Sequence, residues 1–143
     1  MRGILRGVTE GSAATDPASP DARLLGRTYA IPFDSVWNAA KRLADGEMRG
    51  WSIMSADDVA GVIIATKRSL LFGHRDDVKI DIVLDENAQT RVDVNSGSHS
   101  RRPDLGRNRR GIGRFIRKLD ASLEARPDQI LDATRVPAWI ASK

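Results

Sequence analysis

From Asp77 to Asn95 the chain alternates apolar and polar residues twice, and no other stretch limits the possible folds as much. Val78, Ile80, Ile82 and Leu84 alternate with Lys79 and Asp81, and Val92 and Val94 alternate with Arg91 and Asp93. A period of two sends one set toward a core and the other toward water, so each run reads as a half-buried strand. Asp85-Glu86-Asn87 separates the runs, and so short a connection joins antiparallel neighbours. Asn87 is the residue expected at positive φ. Charge suggests a register that pairs Asp81 with Arg91 and Lys79 with Asp93, leaving Ile80 opposite Val92 and Val78 opposite Val94.

The flanking segments complete the pattern. Arg27 to Ile31 alternates and reads as a first strand, after which Pro32 opens a helix. Phe33, Val36, Trp37, Ala40, Leu43 and Ala44 recur at spacings of three and four, a buried stripe running to about Asp45 before Gly46 and Gly50. Trp51 to Ala56 and Gly61 to Arg68 read as a hairpin around Asp57-Asp58-Val59-Ala60. A second helix is expected from an N-cap at Asp104 to about Ala125, closed by Pro127, with Leu105, Ile112, Phe115, Ile116, Leu119 and Leu123 as its apolar stripe. The order β-α-β-β-β-β-α gives an α+β fold, an antiparallel sheet with both helices on one face. Residues 27–125 form this domain. Residues 1–26 and 126–143 read as N- and C-terminal tails, the first dominated by small and polar residues without an apolar period.

Charge is concentrated on the second helix. Arg101 to Lys118 holds eight basic residues against Asp104, a local +7 in a chain of net +4. Such concentration points to a partner. Arg107, Arg110, Arg114 and Arg117 recur at steps of three, four and three and form a basic stripe beside the apolar one. The chain has no cysteine, which removes disulfides, thiolate nucleophiles and cysteine-based zinc sites together. It carries no Gly-x-Ser-x-Gly and no P-loop. His74, Asp76, Asp77 and His99 would make a metal site only if the 70–77 loop met the strand end. Solvated loop residues are commoner, so no metal and no cofactor is expected, and Asp76 and Asp77 read as turn caps or partners for the arginines. No segment is long and apolar enough to span a bilayer, and no signal peptide is read, which gives a cytoplasmic expectation.

Three pieces of sequence resemble an uncharacterised bacterial family catalogued as domain of unknown function 1499. They are the helix start Pro32-Phe33-Asp34-Ser35-Val36-Trp37, Phe72 shortly before Asp76-Asp77-Val78, and the run from Val92-Asp93-Val94 through Ser96, Ser98, Asp104 and Gly106 to Asn108. The resemblance spans roughly Arg27 to Leu123 and implies no activity. The family pattern has arginine where this chain has Asn95 and His99, and glycine where it has Arg101. If the family site is an arginine-lined anion pocket, the basic charge here has moved onto the helix. Ser96, Ser98, Asp104 and Asn108 are the candidate anion site at the helix N-terminus, with an N-cap and a loop pin as their structural alternative. The helix start also resembles that of helix-grip lipid-binding domains, although five strands and two helices are few for a large cavity.

The function expected from these features is non-catalytic: an accessory or scaffolding subunit docking on a larger protein complex. An anionic membrane surface, on the cytoplasmic side of the inner membrane, is among its candidate settings. Arg107, Arg110, Arg114 and Arg117 would supply the electrostatic contact and Trp139 an apolar anchor. A nucleic-acid or phosphate-ligand binding domain is the alternative, with nucleic acid disfavoured because aromatic residues make up only 5% of the chain. An enzyme of unrecognised type is the third reading.

Overall fold

The computed structural model describes residues 12–69, 73–98 and 106–131. Among these residues seven antiparallel strands form one sheet: β1 Ser12–Ala14, β2 Arg27–Tyr29, β3 Trp51–Asp57, β4 Val62–Arg68, β5 Arg75–Leu84, β6 Thr90–Ser98 and β7 Ile130–Leu131. Their order is β3-β4-β5-β6-β2-β7. The nine-residue strand β6 pairs with β5 on one edge and shares the other between β2, at Thr90 to Val92, and β1, at Asn95 to Gly97. Two helices, α1 Phe33–Arg42 and α2 Arg107–Ser122, cover one face of the sheet. The α+β architecture and the central order β-α-β-β-β-β-α are as the periodicities require.

The core forms where three periodicities meet. Alternate residues Ile63 and Ala65, Val78, Ile80 and Ile82, and Val92 and Val94 turn one face inward. Val36, Trp37, Ala40 and Leu43 descend from α1 and its helical extension, and Ile112, Phe115, Ile116 and Leu119 from α2. Trp51 stacks on Phe115 at 5.6 Å and so seats α2 on the sheet, while Phe33 stacks on Trp37 at 5.7 Å within α1. Gly46, at φ 113, stops the helical run after α1.

Four expectations are corrected. First, the terminal tails are part of the fold as far as they are described. Ala13 and Leu24 are buried, Thr15 N–H bonds the Val94 carbonyl, and the Thr15 hydroxyl donates to Asp93 at 2.7 Å. At the other end Ile130 and Leu131 pair with Tyr29 and Thr28. Unpaired backbone along β6 and β2 recruits these segments, and composition does not register that demand. Second, Asp81 faces Asp93 and Lys79 faces Asn95, with Ile80 opposite Val94 and Ile82 opposite Val92. The turn sets this register. The Asp85 carboxylate accepts from the Asn87 and Gln89 N–H groups, both at 2.9 Å, and Ala88 rather than Asn87 takes the positive φ, at 60. Each aspartate then has a cation two residues along its own strand, Lys79 at 3.9 Å from Asp81 and Arg91 at 2.8 Å from Asp93. Cross-strand charge pairs contribute only ~0.2–1 kcal/mol and yield to the turn.

Third, α2 begins at Arg107 after Gly106, whose φ of 82 breaks helical geometry; Asp104 and Leu105 lie outside the described residues. The helix ends at Ser122, and Pro127 opens a 3-10 turn, Pro127–Gln129, instead of closing α2. Fourth, the inward alternation of β5 ends at Ile82, and Leu84 is exposed.

Tyr29, the chain's single tyrosine, ties the sheet to the far end of α2. Its hydroxyl donates to Asp120 Oδ1 at 2.6 Å, and Arg27 grips the same carboxylate through two bonds of 3.1 and 2.7 Å. Burial above all, then the bond to Asp120, pushes the phenol well above its ordinary range. The folded state disfavours phenolate, so stability is held below the unfolded pKa of about 10 and falls as pH rises past it. In an alkaline titration phenolate absorbance is expected to appear together with loss of helical circular dichroism. Phenolate forming inside an intact fold would contradict this. Leu24→Ala is expected to lower stability by about 2–5 kcal/mol in urea unfolding, the cost of emptying a core position. A change below ~0.5 kcal/mol would mean the N-terminal segment is a tail after all.

Candidate functional site

The buried face of the sheet turns polar at one end, and the site is built there. Lys67 on β4 is in phase with Ile63 and Ala65, and Asp76 on β5 is in phase with Val78 and Ile80. The two are direct cross-strand partners. Asp76 is 2% exposed and Lys67 9%. The first turn of α2 brings Arg107 down onto them. Its guanidinium donates to both Asp76 oxygens, at 3.0 and 2.8 Å, and to the Ser98 hydroxyl at 3.2 Å. Lys67 Nζ stands 3.8 Å from Asp76 Oδ2 and 5.9 Å from the centre of the Trp51 ring. A buried carboxylate is tolerated only when paired and hydrogen-bonded, and two cations satisfy that condition here.

Gly111 makes room for the lysine. A Cβ at this position would lie 2.1 Å from Lys67 Nζ, so the ammonium rests against the bare backbone of α2. Ser96 and Asn108, both buried, bond to each other and pin the helix to β6.

Above this floor opens a cleft of about 420 Å³. Arg49 and Arg68 come from the β3–β4 side and Arg110 and Arg114 from α2, with Trp51, Lys67, Asp76 and Arg107 below. Among the described residues, six cations and one acid line the cleft. That acid is already engaged by Arg107 and Lys67, so it does little for the rim. At such a concave positive site, field lines converge and an anion gains from several cations at once.

The expected basic stripe is therefore divided. Arg110 and Arg114 are exposed on the cleft wall, whereas Arg107 is turned inward to Asp76 because the buried carboxylate needs it. Arg117 is exposed beside a separate shallow depression with Arg23 and Arg27. Ser96, Ser98 and Asn108 act as structure, two bonded to each other and Ser98 to Arg107. Asp104, His99 and Trp139 lie outside the described residues. Among the described residues no group of three or more His, Cys, Asp and Glu could hold a metal ion. No described helix is long and apolar enough to cross a membrane.

Arg49, Trp51, Lys67 and Arg68 are the site residues that sequence reasoning missed. A signal existed for Lys67: a cation in step with a buried alternation is either misplaced or partnered.

Asp76→Asn should lower stability by about 3–5 kcal/mol, because Arg107 and Lys67 would be left without their buried counter-charge. Asp81→Asn, on the open face of the sheet, should change it by less than ~0.5 kcal/mol. Urea unfolding of the two variants checks both; equal effects would mean that Asp76 is an ordinary surface-type pair.

No curated protein and no solved structure matches the chain. A family model, protein of unknown function DUF1499, matches residues 9–119, a span that contains every residue lining the cleft. The chain belongs to the DUF1499 family.

Proposed function

We propose that the chain is a non-catalytic binding domain whose basic cleft receives an anionic group of the phosphate class. One observation carries this reading: among the described residues six cations and one acid line the cleft, and that acid is engaged from below by Arg107 and Lys67. Binding is favoured over turnover because the groups facing the cleft are arginines and a lysine, donors that hold an anion by charge and hydrogen bonds. Asp76, buried between two cations, is badly placed to take a proton from a substrate.

The second reading is docking on a larger anionic surface, an acidic protein complex or the cytoplasmic face of a membrane. Arg117 and Lys118 favour it, since both are exposed on α2 and extend the positive charge beyond the cleft. In that arrangement the cleft would hold one anionic group of the partner and the outer cations would add rim contacts, each worth only ~0.2–1 kcal/mol.

Arg110→Glu combined with Arg114→Glu should weaken binding of inorganic phosphate at least ~tenfold by calorimetric titration, and flatten its dependence on salt. Both side chains are exposed, so the thermal midpoint should hold. A folded double variant that binds phosphate as the parent does would contradict the proposal.

A further inference from the structure

We infer that the edge strand β3 pairs with β3 of a second copy of this chain, in an antiparallel contact across a twofold axis. Among the described residues the sheet ends at β3 on one side and at β7 on the other. β7 is two residues long, whereas β3 runs for seven, Trp51–Asp57. An edge strand presents a row of backbone N–H and C=O groups that no ladder satisfies. Charge and proline are common protections of such an edge, and Trp51 to Ala56 holds neither. Ser52, Met54, Ser55 and Ala56 are exposed, Met54 to 61%. The Trp51 N–H is already bonded to the Met48 carbonyl, so the new ladder would begin with the Trp51 carbonyl.

The protection that β3 does carry is a bulge, and the bulge favours a second copy as the partner. Relative to β4, the strand has one extra residue between Ile53 and Ser55. Trp51 and Ala56 lie opposite Lys67 and Ile63, on the buried side of the sheet, whereas Ser52 and Ser55 lie opposite Thr66 and Ile64, on the open side. Two antiparallel copies with Ser52 opposite Ser55 and Trp51 opposite Ala56 therefore keep both sides matched across the contact. The extra residue of one copy then meets that of the other. A regular strand laid on this edge would again set one residue against two, as β4 does. Met54 falls beside the twofold axis, where the second copy would cover it.

Charge complements the same register. Arg49 precedes β3 and Asp58 follows it; both are exposed, and neither makes an ion pair among the described residues. Asp57, at the same end, is spent on its own turn, where its carboxylate accepts from the Val59 and Ala60 N–H groups. Antiparallel pairing brings Arg49 of each copy to the end where Asp58 of the other stands, twice by symmetry. The interior of the contact is uncharged and its two ends are opposite in sign, a pattern that an antiparallel copy of itself satisfies and a parallel one does not.

The test is sedimentation-velocity centrifugation of the full chain over a range of concentrations at fixed ionic strength. A concentration-dependent dimer is expected. Met54→Lys sets two like charges beside the axis at an exposed position, so it should leave a monomer that is folded by circular dichroism. Arg49→Asp and Asp58→Arg should each weaken the dimer about tenfold, and the two together should restore it to within about threefold of the parent. A monomer at every concentration would overturn the inference. So would a trimer or larger assembly, because a twofold edge contact closes at two. A dimer unchanged in Met54→Lys would place the interface elsewhere and overturn it as well. Charge reversals that weaken the dimer singly and do not compensate each other would overturn the register.

Discussion

A single carboxylate, Asp76, sits at the point where sheet, helix and cleft meet. Leaving water costs a carboxylate several kcal/mol, and the cost is offset only by close charge pairing and hydrogen bonds. Arg107 supplies both bonds and Lys67 the second charge. To satisfy Asp76, the first turn of α2 has to lie over the ends of β4 and β5. Once it does, the next two turns carry Arg110 and Arg114 to the cleft wall, and Gly111 to the lysine. The positive cleft thus follows from burying one negative charge among more cations than it can neutralise.

The far end of the same helix is held by the reverse arrangement. There the helix provides the acid, Asp120, and the sheet provides the cation, Arg27, with the Tyr29 hydroxyl as a third member. α2 is pinned at both ends by a bidentate arginine–carboxylate contact, and between them by Ile112, Phe115 and Leu119 in the core. A basic surface on an element fixed in this way is pre-organised, so little ordering cost would fall on the proposed binding of an anion.

Elements that bury an apolar stripe were legible in the sequence. The alternation of Val78, Ile80 and Ile82 and the three-four spacing of Ile112, Phe115, Ile116 and Leu119 locate β5 and α2 because burial requires those periods. β1 and β7 were not legible: three and two residues long, they are held by backbone bonds to β6 and β2 that any residue except proline could make. The hairpin register escaped because a side chain bonding its own turn, Asp85, outweighs cross-strand charge. For the site, the concentration of arginine on α2 was visible, but its division was not. Arg107 and Arg110 look alike in sequence, and only the position of Asp76 beneath α2 turns one inward and leaves the other at the cleft. The partners from β3 and β4 lie some forty to sixty residues away along the chain, and their approach is a matter of sheet topology.

The most direct measurement of whether Asp76 organises this end of the molecule is a double-mutant cycle between Asp76→Ala and Arg107→Ala, read by urea unfolding. The two side chains are bonded and buried together, so removal of the second after the first should cost far less than its removal alone. A coupling of about 1–3 kcal/mol is expected. Additive effects, with a coupling below ~0.5 kcal/mol, would contradict the dependence of α2 and its cleft on the buried carboxylate.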